Sequence, residues 1–417
     1  MNESNKKKTV AIVCGGGPAP GINAVIAAVT LRARNVGFDV IGIYDGFSHL
    51  AKREKKYIKL TQDEVSRISI MGGSILHMSR YNPTKSADDL KNVVETLTEL
   101  GVNYLVTIGG DDTAFSAAAV SSYAKEHGGA INVVHVPKTI DDDLPLPEGV
   151  PTFGFETARE MGAREATNLV EDARTSRNRW YFAVAMGRTA GHLALGIGSA
   201  AGADVTVIPE EFGAQKISLQ RVVDIITGSI MKSYFNGKDH GVAVIAEGVI
   251  EKIEQTDLEK LGNVELDEHG HIRYSELDFG NILKKSVSRE LKKYGKKITI
   301  VSKDIGYELR CSSPISYDIE YARSLGCEAV NFLAAGKSGA MISIQNESSE
   351  PMYFDDIKDP KTGKTKVRRV NTASLRYKVA RDYMTRIEKS DLDNASLAET
   401  YDMTIDEFKK RFGYLFE

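Results

Sequence analysis

The chain has 417 residues, more than one ordinary hydrophobic core organises, so two domains with extensions are expected. Charged residues make up 27% and hydrophobic residues 42%, the balance of a water-soluble globular protein, and a net charge of -3 at pH 7 excludes a surface that is one continuous nucleic-acid footprint. The 3 cysteines, Cys14, Cys311 and Cys327, lie far apart with no CxxC, which fits a reduced, cytoplasmic setting and argues against a zinc site or a disulfide framework. The N-terminal MNESNKKKTV lacks the apolar core of a signal peptide, and no run approaches the roughly 20 apolar residues that span a membrane. No membrane or nucleic-acid partner is expected.

In chain order, TVAIVCGGG (9–17) reads as a buried strand ending in glycines, and 21–37 as the helix that follows. A second strand is predicted at 39–46, a helix at 88–101, a strand at 103–110, a helix at 112–129, and a strand at 131–143 that runs into a polar loop. Short apolar runs alternating with helices of about 12–18 residues predict βαβ units around a parallel sheet. A second set of the same kind begins near 156 with a long helix. Strands follow at 179–187, 204–210 and 241–249, with a small-residue helix at 192–203, and the segment 297–310 closes the set. The turn-rich stretch 351–370 suggests a β excursion, and the charged remainder is helical. The expected domains are 1–155 with a return segment at about 311–370, then 156–310, then a C-terminal helical extension at 371–417.

Two familiar phosphate-loop patterns fail. CGGGPAPGIN has Pro20 where a dinucleotide fingerprint needs its third glycine, and AAGKSGA has Asn331 where a P-loop needs its first. What survives is physical: Gly15, Gly16, Gly17 and Gly21 frame a helix N-terminus, which suits an anion. In IGGDDT, Asp111 sits at a strand tip, where a carboxylate can serve a hard cation such as Mg²⁺, although a plain helix cap also uses aspartate. PKTIDDDL then places Lys138 beside Asp141, Asp142 and Asp143, a dense cluster of charge that a metal-bound phosphate would bridge. The second half supplies arginines, Arg174, Arg177, Arg179 and Arg188, suited to bidentate phosphate binding. AEGV adds Glu247 at a strand end, GYELR adds Tyr307 and Arg310, and HGH (269–271) reads as a solvated loop. Acids in one α/β half and arginines in the other suit phosphoryl transfer to a phosphorylated, hydroxyl-bearing acceptor.

The ordered set GGGPAPGIN, YDGF, GGSILHMSR, IGGDDT, PKTIDDDL, TFGFETA, MGR.AGH, AEGV and GYELR...P...D resembles the phosphofructokinase family over roughly residues 9 to 335, and within it the pyrophosphate-dependent branch. The resemblance implies an α/β fold of two Rossmann-like three-layer domains with the active site in the cleft between them. It implies Mg²⁺-dependent, reversible phosphoryl transfer from pyrophosphate to the 1-hydroxyl of fructose 6-phosphate in glycolysis and gluconeogenesis. Carried over by position, Asp111 resembles the metal-associated aspartate and Asp141 the base. Thr139 and Asp143 resemble neighbours that contact substrate and metal. Gly16, Arg80 and Lys138 resemble donor-binding residues. Met186, Gly187 and Arg188 match a motif near the transferred phosphoryl and the sugar, and Glu247 the acid on the sugar hydroxyls. Tyr307 and Arg310 lie where the family holds the 6-phosphate. Arg179 resembles an arginine lent to that phosphate by a neighbouring subunit, which implies a homodimer or homotetramer.

ATP-using members carry glycine where this chain has Asp112, and that carboxylate would fill and repel the place of the nucleotide's α-phosphate. The alternatives are an ATP-dependent 6-phosphofructokinase and a non-catalytic regulatory subunit. An NAD or lipid kinase shares only the GGD element. One departure stands out: Asp142 replaces the usual asparagine, so an added negative charge near the base is expected. Either Lys297 or Lys303 is a candidate to complete the 6-phosphate site.

Overall fold

The computed structural model describes residues 7–128, 131–260, 274 and 277–416; the HGH stretch lies outside them. In chain order the strands are β1 (Thr9–Cys14), β2 (Asp39–Ile43), β3 (Tyr57–Lys59), β4 (Val102–Gly109), β5 (Asn132–Pro137), β6 (Arg179–Ala185), β7 (Val205–Val207), β8 (Gly241–Ala246), β9 (Thr299–Ile305), β10 (Ala340–Met341), β11 (Ile344–Gln345), β12 (Ser348–Ser349) and β13 (Met352–Tyr353). They fall into two compact units. The first comprises the described residues up to Ala158 together with Tyr307–Arg368, and the second Arg159–Gly306 together with those from Arg369 on.

The first unit is built on a sheet of order β13-β10-β5-β4-β1-β2-β3. β1 pairs parallel with β2 and β4, and β5 parallel with β4 and β10; β3 and β13 are antiparallel edges. Val10 to Cys14 are fully buried, as a central strand covered on both faces requires, and this is why β1 reads as an unbroken apolar run. On one face Ile12 and Val106 meet Val25, Ile26, Leu325 and Ala329 of the helices Ile22–Asn35 and Ser316–Ala334. Those helices approach closely at Gly326, where a β-carbon would come within 2.8 Å of the Ala28 methyl. On the other face Val13 and Leu105 meet Leu97, Ala117 and Val120 of the helices Ala87–Glu99 and Asp111–Glu126.

The second unit holds a parallel sheet of order β7-β8-β6-β9. The C-terminal helices Leu375–Asp382, Ala395–Thr400 and Ile405–Phe412 belong to it. Tyr401, Phe408 and Phe412 pack with tilted rings, centroids 5.0–5.1 Å apart, and Arg411 and Tyr414 both bond the fully buried Asp224. Each ring pair adds on the order of 1 kcal/mol beyond burial alone.

The closing segment 297–310 divides in two: β9 ends at Ile305, and Tyr307–Arg310 turns into a short helix after Gly306. One expectation is corrected. The stretch 351–370 is only briefly β. After β13 comes the helical turn Phe354–Ile357, then a loop closed by the Lys358–Thr365 bridge.

His135 on β5 is fully buried; its ring nitrogens bond the Thr107 hydroxyl at 2.9 Å and the Gly109 carbonyl at 3.0 Å. Burial pushes its pKa from an ordinary 6.5 down to about 3. Between these values the unfolded chain binds a proton that the folded one refuses, so the stability present above pH 6.5 is lost as pH falls towards 3. Thermal melts should show Tm dropping through that window, and a shallower drop in His135→Gln.

Candidate active site

In parallel α/β sheets the strand C-termini and the turns beyond them form the natural ligand surface. In the first unit those turns come from neighbouring strands β1, β4 and β5. After β1, the Gly15 amide donates to the Ile108 carbonyl at 2.9 Å and the Gly16 amide to the Ser79 carbonyl at 2.8 Å. Gly16 has φ of +82°, a conformation suited to glycine. Ser79 lies beside Gly15 as an isolated parallel bridge, which brings the exposed Arg80 to the same turn. A β-carbon on either Gly15 or Gly109 would overlap the side chain of Thr113.

The helix Asp111–Glu126 starts directly after β4, with Gly110 at its N-cap and both Asp111 and Asp112 in its first turn. Two adjacent carboxylates are therefore met by the positive end of a helix dipole, a source of tolerance that the sequence reading did not include. Asp111 is half-buried and Asp112 exposed.

Lys138 follows β5 and is buried, its ammonium donating to the Gly17 carbonyl at 2.6 Å. Burial lowers its pKa from 10.5 to about 8; Asp141 and Asp143 oppose that shift and the Arg310 charge adds to it. Asp141 donates its amide to the Thr139 hydroxyl at 3.0 Å, and Thr152 donates its hydroxyl to the Thr139 carbonyl at 2.8 Å. These bonds turn the loop so that Thr139, Asp141 and Asp143 leave β5 together.

Asp142 behaves differently from the expectation of an added charge beside the base. It is buried at φ +57°, accepts the Thr152 amide at 2.9 Å and is ion-paired with Arg368, which offsets its charge. Arg310 belongs to this first unit as well. Its guanidinium carbon lies 3.4 Å from where a β-carbon on Gly17 would sit, and 5.0 Å over the ring of the exposed Tyr307.

Sequence reasoning missed Arg368 and Thr365. It quoted Thr113, Thr152 and Asp318 only as parts of motifs. The buried Asp318 carboxylate accepts the Gly154 amide at 2.8 Å, the Thr157 amide at 2.7 Å and the Thr157 hydroxyl at 2.6 Å, tying TFGFETA to GYELR...P...D.

In the second unit, β6 and β8 are parallel neighbours, and their ends bring two motifs together. The Gly248 amide donates to the Gly187 carbonyl at 3.1 Å, so Met186, Gly187 and Arg188 lie against the turn that starts at the half-buried Glu247. Gly187 has φ of +130°, and the exposed Arg188 lies 3.6 Å from Glu251. Arg179 opens β6 and pairs with Asp172 at 3.2 Å. Lys303 lies 3.6 Å from Glu165, while the Lys297 carbonyl accepts from Asn178 at 2.9 Å.

No group of three or more His, Cys, Asp or Glu side chains able to hold a metal ion occurs among the described residues. Asp111, Asp141 and Asp143 are hard oxygen donors, the chemistry that suits a hard divalent cation sharing its shell with water and phosphate oxygens.

The sequence profile described as Phosphofructokinase matches residues 9–333. The chain belongs to the phosphofructokinase family. It is 50% identical over 416 residues to the pyrophosphate–fructose 6-phosphate 1-phosphotransferase of Thermotoga maritima, covering 97% of this chain and 98% of that one. It is 47% identical over 421 residues to the protein of the same name from Naegleria fowleri, covering 98% and 95%. The crystal structure of a pyrophosphate-dependent phosphofructokinase from Marinobacter aquaeolei superposes with a TM-score of 0.69 at 19% identity, over 95% of this chain and 92% of that one. That likeness shows the fold: the α/β architecture expected from the sequence is the family's.

The crowding at Thr113 gives a direct test. Gly15→Ala should destabilise the protein by about 1–3 kcal/mol, as overpacking does, and Thr113→Ala in the same chain should return part of the loss. Urea unfolding of the two single variants and the double variant measures the coupling.

Proposed function

We propose that this protein catalyses reversible phosphoryl transfer from pyrophosphate to the 1-hydroxyl of D-fructose 6-phosphate, giving fructose 1,6-bisphosphate and phosphate. The observation that carries the reading is Asp112 at the first turn of the helix Asp111–Glu126, in a chain 50% identical to a relative named for pyrophosphate. A carboxylate there repels a nucleotide's α-phosphate, while pyrophosphate has no group to place against it.

The glycine turn at Gly16, with Arg80 and Lys138, would hold pyrophosphate, and Asp111 with Asp143 would hold Mg²⁺. When bound, Mg²⁺ offsets charge on the phosphate oxygens. Asp141 takes the proton of the sugar 1-hydroxyl, that oxygen bonds to the terminal phosphorus, and the bridging P–O bond breaks to release phosphate. Thr139 orients Asp141 through the hydroxyl that accepts its amide. Arg188 offsets the charge that develops on the transferred group. Met186, Gly187 and Glu247 would bind the sugar, and Tyr307 and Arg310 its 6-phosphate. The half-buried Arg179 would be lent to a neighbouring subunit, in a homodimer or homotetramer in the cytoplasm. The role of Arg310 has a competing claim from its own position, since it lies beside Gly17 and acts on Lys138.

Initial rates with fructose 6-phosphate and Mg²⁺ should appear with pyrophosphate and not with ATP, and Asp112→Gly should gain ATP use. ATP turnover by the wild type would overturn the donor reading and leave the family standing. The Lys138 ammonium has its pKa lowered to about 8, so it loses its proton as pH rises through that value. The KM for pyrophosphate should therefore climb above pH 8 in the wild type and stay flatter in Lys138→Arg.

A further inference from the structure

The loop from Thr139 to Thr152 carries the proposed base, yet much of it lacks regular backbone pairing. Arg368 supplies the missing bonds. Its Nε donates to the Asp142 carbonyl at 3.1 Å, and Nη1 reaches the carbonyls of Leu146 at 3.2 Å, Pro147 at 2.9 Å and Val150 at 2.7 Å. Nη2 pairs with the Asp142 carboxylate, and the Arg368 amide donates to the Asp143 carbonyl at 2.8 Å. A planar guanidinium fork can make this set; an ammonium cannot.

Asp142 itself adopts φ of +57°, a left-handed conformation that persists only where surroundings hold it. Its carboxylate is held from two sides, by Arg368 and by the Thr152 amide at 2.9 Å. Asp141 and Asp143 flank this fixed point directly in the chain. The same segment reaches the other aspartate motif, where the Thr365 hydroxyl donates to the Asp111 carbonyl at 3.1 Å.

We propose that Arg368, paired with Asp142, is a positioning residue for the reaction: the pair sets the conformation of the loop that presents Asp141. This rests on the reading of Asp141 as the base. The acid at 142 then serves the pair, not the chemistry.

The test compares wild type, Arg368→Met, Arg368→Lys and the double variant Asp142→Asn/Arg368→Met for kcat, KM, Tm and the number of fructose 6-phosphate molecules bound per chain. Arg368→Met leaves a buried carboxylate without its guanidinium, so both Tm and kcat should fall, kcat by about 100-fold, the scale of a misplaced catalytic group. The double variant removes the stranded charge. Its Tm should return towards wild type, with full sugar binding and unchanged KM, while kcat stays about 10-fold low or worse because the four carbonyls still lack their donor. Arg368→Lys should not restore kcat. The double variant decides the matter even if Arg368→Met fails to fold. Recovery of kcat together with Tm in the double variant, or single variants that keep wild-type kcat, would overturn the proposal. A wild type that does not turn over pyrophosphate with fructose 6-phosphate overturns the functional reading itself, and that is seen before any variant is compared.

Discussion

Thr113 is wedged between the ends of β1 and β4 so tightly that neither Gly15 nor Gly109 can carry a β-carbon. That single close approach sets the spacing of the strand tips. It lets the Gly15 amide bond the end of β4, and it keeps the Gly15–Gly17 turn low enough for Lys138, one strand further along, to reach the Gly17 carbonyl. It also fixes where the helix Asp111–Glu126 begins, since Thr113 lies in its first turn. Packing of one buried hydroxyl side chain thus aligns a glycine turn, a pair of carboxylates and a lysine.

Around that alignment, charge is handled in three ways. His135 is kept neutral by full burial and anchored by its two ring bonds. Lys138 is buried with its ammonium against a backbone carbonyl, and the carboxylates of Asp141 and Asp143 limit how far burial lowers its pKa. Asp142 is buried and matched by a guanidinium. Exposed ion pairs elsewhere, such as Lys55–Glu99, contribute little by comparison because water screens them. The polar groups that matter are the ones removed from water and given a fixed partner.

Much of the sheet structure was legible because central parallel strands are buried on both faces and show as mainly apolar runs, as β1, β4, β5, β6 and β8 do. The helix Leu219–Phe235 escaped that reading. Its Val222, Val223, Ile225, Ile226 and Thr227 favour a strand locally, and burial of one face decides for helix. At the site, Gly16, Asp111, Lys138, Thr139 and Asp141 fall in short motifs at the tips of adjacent strands, so their grouping follows from topology. Arg368 had no such signal: it reaches Asp142 from 226 positions away. The position of Arg310 beside Gly17 was also hidden, since its neighbours in sequence end a strand of the other unit.

The first unit is assembled from two separated lengths of chain, and this bears on how the protein is made. β5 acquires its outer neighbour only when β10 arrives, and β10 is followed by β13 at the edge. During synthesis the ribosome releases β5 long before either of them, and all of the second unit's sheet emerges in between. Over that interval a highly apolar strand presents unpaired backbone groups, the kind of edge that joins nascent chains to one another. The N-terminal sheet therefore keeps β5 as an open edge until residues 340 and 341 have been made.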